Sequence, residues 1–566
     1  MWLSVCGKQQ LKQHEVWGGR VLFGAVLLAA AALRFAHLDD RPMHADEAVH
    51  AIKFGQLLEQ GYYRYDPHEF HGPTLNYATL PVAWLCGSHS LRETAEWQLR
   101  IVPALFGLLL VLMPLALRKQ LGEVACFAAT VLTALSPAMV FYSRYYIQEM
   151  LLVALSFAAI IALCRFAEES HRLSLEAEAQ SAARTSPMPP CPWAELFRLR
   201  AIAWLAVLGL LLGLMHATKE TCLIAAVSMG VAALAAMPQL RKLGLLRLIV
   251  IAAVVLIVAA SISALLISGF GQNLRGVLDS YATYLTYFPR AGGAGSEGPH
   301  VYPFYQYLHW LFAWRGPGGT VCSEALIAVL AVVGLAAAVF RFGLSPAQAS
   351  AARFFAIYSL LMTAGYAAIP YKTPWCALGF LHGLIILAGL GTAALLGCLR
   401  NKLIRCAVVG ALVAAAVQLG CQAYRASFLQ PAHPDNPYVY AHTSPQLLEL
   451  VAEVHRIAER SSLGSELYTQ VICAQDDYWP LPWYLRHYLN IGWYNGPPDA
   501  PPALLVITQP KLEDEVAEYL YTWPKPGERF QYLPVGPVGQ QSHYWELRPN
   551  VLLLMYLRRD IWELCQ

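Results

Sequence analysis

Four short stretches of this chain carry ionisable side chains where they could do chemistry. The segment "MHADEAVHAIKFGQLLEQGYYRYDPHEFHGPTLNY", residues 43–77, holds Asp46, Glu47, His50, Glu69 and His71, with His44 and His68 beside them. "FYSRYYIQEM" holds Arg144 and Glu149, "MHATKET" holds Lys219 and Glu220, and "PYKTPW" holds Lys372. A carboxylate at a water–lipid boundary can take a proton from a hydroxyl as general base, and partial burial raises its pKa toward the working range. Arginine grips a phosphate as a bidentate fork and lysine as a point charge. Proton acceptor and phosphate anchor are the two halves of a group transfer with a phosphate leaving group, whose developing charge needs a cation. Asp46 and His50 are four residues apart and share a helix face. With Glu69 or His71 they could hold a divalent cation through carboxylate and imidazole.

Each stretch also has a plainer reading. Asp46 and Glu47 suit the N-terminal turn of a helix, where the dipole favours negative charge. Arg144 with Glu149, or Lys219 with Glu220, could be mutual ion pairs of the kind found within membranes. The histidines could belong to a solvated loop.

The elements that must position these groups are mostly apolar. Of 566 residues 57% are hydrophobic and 14% charged, well below the charge of a soluble domain. About eleven stretches approach the roughly 20 residues a bilayer requires. They centre on 21–38, 100–117, 124–142, 147–166, 201–217, 221–237, 245–268, 322–340, 354–370, 377–398 and 404–421. The first follows a basic leader with Lys8, Lys12 and Arg20, and its length predicts a retained signal anchor rather than a cleaved peptide. Lysine and arginine gather in alternate loops, such as Arg118 with Lys119 and Arg241 with Lys242, which predicts the N-terminus inside and the C-terminus outside. All four ionisable stretches then fall on the outer face, and ionisable groups at membrane depth mark functional sites. A net charge of +3 points to no particular partner, and the thirteen cysteines show no metal spacing.

The expected fold is an all-α polytopic membrane protein with a C-terminal soluble α/β domain. Residues 1–423 form the transmembrane part, with a first outer loop at 39–99, and residues 424–566 the periplasmic or extracellular domain. In the first loop, "DEAVHAIKFGQLLEQG" has the apolar spacing of an amphipathic helix that Gly61 ends. In the tail, "LLELVAEVHRIAER" reads as an amphipathic helix, "PALLVITQP" as a short buried strand and "KLEDEVAEYL" as a helix. "AGGAGSEG", residues 291–298, lacks the following Lys-Ser/Thr of a phosphate loop and reads as an outer loop over the cavity.

With "SRYYIQE", "TKET", "YKTPW" and "WPLPWYLR", the 43–77 segment makes a pattern that resembles the GT-C superfamily of polyprenyl-phosphate-sugar glycosyltransferases. Protein O-mannosyltransferases and lipid A aminoarabinose transferases belong to it. More narrowly, the pattern resembles a bacterial and archaeal subfamily, the flippase activity-associated proteins. The resemblance covers most of the chain and implies inverting transfer of a sugar from a polyprenyl-phosphate donor at the outer face of the cytoplasmic membrane. It implies that Asp46 is the catalytic carboxylate, that Glu47 assists it or binds acceptor or metal, and that Lys219 contacts the lipid phosphate. Arg144 and Glu149 match the second motif. Lys372, His71 and Glu69 join the lipid-phosphate and substrate set, and a divalent metal on Asp46 and His50 is the one cofactor considered. The chain departs from the pattern at Glu220, an acid that could neutralise Lys219. The acceptor is open between protein, lipid and glycan. Two rival functions stay open: a flippase for lipid-linked saccharides, and a non-catalytic assembly partner.

Overall fold

A computed structural model describes residues 20–67, 71–182, 199–291, 301–523, 529–537 and 543–565. The chain clusters into two compact units. One comprises Met1–Leu38, Tyr62–Thr79 and Arg100–Tyr438; the other comprises Asp39–Gly61, Leu80–Leu99 and Val439–Gln566.

The first unit is helical, and a helix lies at each of the eleven predicted spans. Six helices among the described residues are long and apolar enough to cross a membrane, and a bent pair makes up to seven. The expected eleven is therefore not reached on length and composition. Cys222–Ala236 and Ala325–Phe340 are apolar but have only 15 and 16 residues, about 22–24 Å of helix. The pair Glu123–Leu135 and Pro137–Ser143 bends by 58°. Pro137 cannot continue the ladder of the preceding helix, and the Ser136 side chain caps the new one by accepting from Met139 N. Hydropathy sees one run where the backbone makes two helices.

Burial separates inner from outer helices. Pro374–Cys398 is 83% buried over its most apolar stretch, whereas Lys402–Leu429 is 6% buried. An apolar helix with no protein over it needs an apolar solvent, so this is a multi-pass membrane protein. Two short strands, β1 (Trp314–Arg315) and β2 (Val321–Cys322), form an antiparallel pair.

The second unit is built on a six-stranded sheet. Its strands are β3 (Thr469–Ile472), β4 (Ile491–Tyr494), β5 (Leu505–Thr508), β6 (Tyr532–Val535), β7 (Trp545–Arg548) and β8 (Val551–Arg558). The order is β4-β3-β5-β8-β6, with β7 also on β8. Strand β3 runs parallel to both β4 and β5, with Val471 opposite Trp493 and Ile507; β8 is antiparallel to β5. Strand β5 is buried along its whole length, so it reads as a continuous apolar run. Leu505 and Ile507 pack on one face with Leu450, Val454 and Ile457 of the helix Gln446–Arg460. Val506 packs on the other with Val516 and Leu520 of Glu513–Thr522. That alternation follows from the period of two along a strand.

The same unit takes in two first-loop segments. The helix Ala45–Gln60 ends at Gly61, whose φ of 80° is the left-handed cap conformation a glycine adopts without strain. "WPLPWYLR" is packing here. Trp483 is fully buried and its indole N–H donates to Glu96 at 2.7 Å. Arg486 lies 3.7 Å over the Trp483 ring and donates to the carbonyls of Leu91 and Thr94.

Candidate functional site

The adjacent carboxylates Asp46 and Glu47 stand in the first turn of Ala45–Gln60, and their surroundings are opposite. Glu47 is fully buried. Its Oε2 accepts from the N-cap backbone, His44 N, at 3.0 Å and from Arg41 at 2.8 Å. The His44 side chain closes the reciprocal half of this capping box by accepting from Asp46 N. Asp46 itself is 47% exposed, and its carboxylate accepts no hydrogen bond among the described residues; His44 Nδ1 is 3.9 Å away. An aspartate that is neither hydrogen-bonded nor buried has free lone pairs, the first requirement of a proton acceptor.

The segment ahead of the helix is clamped within the same unit. His44 Nε2 bonds the Tyr440 carbonyl at 2.9 Å, Met43 N–H donates to the Tyr484 hydroxyl at 2.7 Å, and Thr443 donates to the Met43 carbonyl at 2.6 Å. Burial pushes the His44 and His442 imidazoles below their ordinary pKa. A neutral ring is what lets His44 Nδ1 act as the cap acceptor. Arg548, ion-paired with Asp477, lies within the field of Asp46. Nothing local in the sequence links Arg548 to the first loop, so it was not among the expected site residues.

In the helical unit the expected pairings cross. Lys219 forms a buried ion pair with Glu149 rather than with its neighbour Glu220. Burial would neutralise the ammonium, but the Glu149 charge beside it outweighs that and holds its pKa above the usual lysine value. Glu220 pairs with His71 Nδ1 at 2.7 Å and accepts from the Tyr65 hydroxyl at 3.2 Å. Burial raises the Glu220 carboxyl, His71 lowers it, and the balance lies below the ordinary value. Glu220 thus leaves Lys219 to pair with Glu149. The close approach of the first loop to this turn requires Gly72. A Cβ there would overlap the Ala217 carbonyl, which Thr74 N and Oγ1 both bond.

A narrow pocket opens beside the Lys219–Glu149 pair. Glu149, Ser156, Thr221, Tyr366, Trp375 and Cys376 line it. The two aromatics and Cys376 were not among the expected residues, since single aromatics in an apolar run carry no sequence signal.

The remaining expected cations turn toward backbone. Arg144 donates to the carbonyls of Ala36 at 2.6 Å and His37 at 2.7 Å, just past the end of the first helix, residues 20–35, and stacks over Phe428 at 4.3 Å. Lys372 is fully buried and donates to the carbonyls of Ala367 and Ile369, at the end of Pro346–Ala368. Both satisfy helix-end carbonyls that have no intrahelical partner. Glu324, not anticipated, does the reverse at the helix break, accepting from Ser136 Oγ at 2.5 Å and Ala138 N at 3.0 Å.

Glu69, His68, the basic leader with Lys8 and Lys12, and residues 292–298 of the glycine-rich stretch lie outside the described residues. Among the described residues no group of three or more His, Cys, Asp or Glu stands where it could hold a metal ion. His50, the expected partner of Asp46 in such a site, is buried.

No protein-family model matches the chain, and no curated protein matches it in sequence. Solved structures do match in fold. ArnT from Cupriavidus metallidurans bound to undecaprenyl phosphate superposes with a TM-score of 0.55 at 16% identity, over 95% of this chain and 98% of that one. The oligosaccharyltransferase AglB from Archaeoglobus fulgidus, in complex with an inhibitory peptide and a dolichol-phosphate, gives 0.55 at 14% identity, over 93% of this chain and 74% of that one. The chain has the fold of these proteins.

Proposed function

We propose that this protein is a membrane glycosyltransferase that moves a sugar from a polyprenyl-phosphate donor to an acceptor hydroxyl, with Asp46 as general base. Two neighbours of the same fold carry undecaprenyl phosphate and dolichol-phosphate, which supports a lipid-phosphate donor. The observation that carries the reading is the division between Asp46 and Glu47. Glu47 is locked by Arg41 and the helix cap, and Asp46 keeps an unbonded, half-exposed carboxylate. Only the second can accept a proton without dismantling its surroundings.

In the proposed reaction the acceptor oxygen attacks the anomeric carbon and its proton passes to Asp46. The anomeric carbon–phosphate oxygen bond breaks, and polyprenyl phosphate leaves with the electron pair. One displacement inverts the anomeric centre. Lys219 supplies charge to the lipid phosphate, with Glu149 holding the ammonium in place. Arg144 and Lys372 act by closing helix ends, and His71 acts through Glu220. The Asp46 face lies outside the cytoplasmic membrane and the N-terminus inside, as in the flippase activity-associated proteins the motifs resemble.

The test compares the parent with Asp46→Asn, each purified and given a panel of polyprenyl-phosphate sugars with and without a divalent cation. Sugar release by the parent alone, with lipid binding retained by both, supports the reading. Lipid binding without turnover by the parent across the panel would replace it with a flippase or an assembly partner.

A further inference from the structure

The helix Leu274–Ala291 is amphipathic in the opposite sense to a helix at a water boundary. Leu274, Leu278, Tyr281 and Leu285 are 72%, 73%, 49% and 73% exposed, and their spacing puts them on one stripe. The positions turned inward are small or polar: Gly276, Ser280 and Thr283 are buried. Their hydroxyls are satisfied, Ser280 by the Val277 carbonyl at 2.7 Å and Thr283 by the Asp279 carbonyl at 2.9 Å. In water each exposed leucine forgoes the free-energy gain of burial. Leucines out and hydroxyls in is favourable only where the surroundings are apolar.

Two features identify those surroundings as lipid. The helix begins after a short turn, residues 268–273, at the end of Leu245–Ile267, a span only 11% buried, so the exposed stripe starts at the end of a lipid-facing span. Arg275, 87% exposed, and Asp279 lie 3.9 Å apart on the flank of the stripe. An apolar stripe with a charged flank is the pattern of a helix that lies in the membrane interface rather than crossing it.

We propose that Leu274–Ala291 is an interfacial helix whose partner is the phospholipid bilayer, with Leu274, Leu278, Tyr281 and Leu285 in the acyl boundary. Its protein-facing side reaches the turn that holds Lys219. The Thr283 and Tyr65 hydroxyl oxygens lie 3.0 Å apart, and the Tyr284 hydroxyl donates to the Glu220 carbonyl at 3.1 Å. The bilayer thereby supports the Glu220–His71 network from outside, whatever reaction the protein performs.

The test places p-benzoylphenylalanine singly at Leu278 or Leu285 of the full chain in phospholipid nanodiscs, followed by irradiation and intact-mass spectrometry. The same substitution at Val254, on the exposed side of Leu245–Ile267, is the positive control. A mass shift of one phospholipid is expected at all three positions. Lipid adducts at Val254 without any at Leu278 or Leu285 would overturn the proposal in favour of a water-facing helix. Adducts with a second copy of the chain would overturn it in favour of a protein interface.

Discussion

The pairs Asp46-Glu47 and Lys219-Glu220 look alike in sequence, since each sets two ionisable residues side by side in the first turn of a helix or just before one. Their environments differ. In the sheet-containing unit one member is locked and the other is half-exposed with no hydrogen bond to its carboxylate. In the helical unit both members are buried, and each pairs with a residue far away in the chain, Glu149 and His71. The contrast separates two uses of charge. A group that must gain and lose a proton needs free lone pairs and some water. A group that must stay charged while buried needs a fixed counter-charge beside it.

The sharpest way to break this comparison is at Asp46. Asp46→Asn should lower kcat by about 10²–10⁴-fold, the usual worth of a general base, with little change in melting temperature. A comparable loss of stability would make Asp46 a structural residue like Glu47. Next in size is the buried ion pair. Lys219→Ala leaves Glu149 buried without its counter-charge and should destabilise by about 3–5 kcal/mol. Lys219→Met with Glu149→Leu should recover most of that stability and still fail to bind polyprenyl phosphate. Thermal unfolding and lipid binding in detergent distinguish the two outcomes.

Glu47→Ala should cost about 1–3 kcal/mol of stability, because it leaves Arg41 and the His44 N–H buried without their acceptor. Restored melting without restored turnover in an Arg41→Met, Glu47→Leu variant would assign Glu47 a part in the chemistry as well. The smallest effect concerns pH. His442 faces His44, Arg41, Glu47 and the Tyr440 backbone, and burial, then the neighbouring His44, keep its folded pKa well below that of an unfolded histidine. The unfolded chain therefore binds more protons on the acid side, so stability is complete above about pH 6.5 and declines as pH falls below it. His442→Gln should flatten that acid limb in a melting-temperature series. An unchanged slope would move the effect to another group.

Much of the fold was legible in the residues. The helix ended by Gly61, the amphipathic helix at 446–460 and the buried strand inside "PALLVITQP" all appear as read. The span count was less so: Ser136-Pro137 splits one apolar run, the helices at 20–35, Cys222–Ala236 and Ala325–Phe340 are short, and Pro346–Ala368 is long but outside the set that is both long and apolar enough. Among site residues, composition singled out the charges but not their partners. Glu149 and Lys219 both stand out in the sequence, yet the partners it suggests for them are the nearby Arg144 and Glu220. Arg144 and Lys372 read as phosphate anchors, and in the structure each also donates to carbonyls at a helix end.

What the amino-acid order determined by itself was therefore everything that depends on local periodicity: apolar runs, helix caps, the strand that reads as all apolar, and the set of residues with chemistry to offer. Helix and strand preferences act over a few residues, so a window of sequence contains their cause. Only the tertiary structure decided that Glu220 belongs to His71, that Lys219 belongs to Glu149, and that of two adjacent carboxylates Asp46 alone keeps its lone pairs free. Hydrogen bonds and buried charge pairs act over a few ångströms of space, and folding brings together groups that lie 70 to 149 residues apart along the chain.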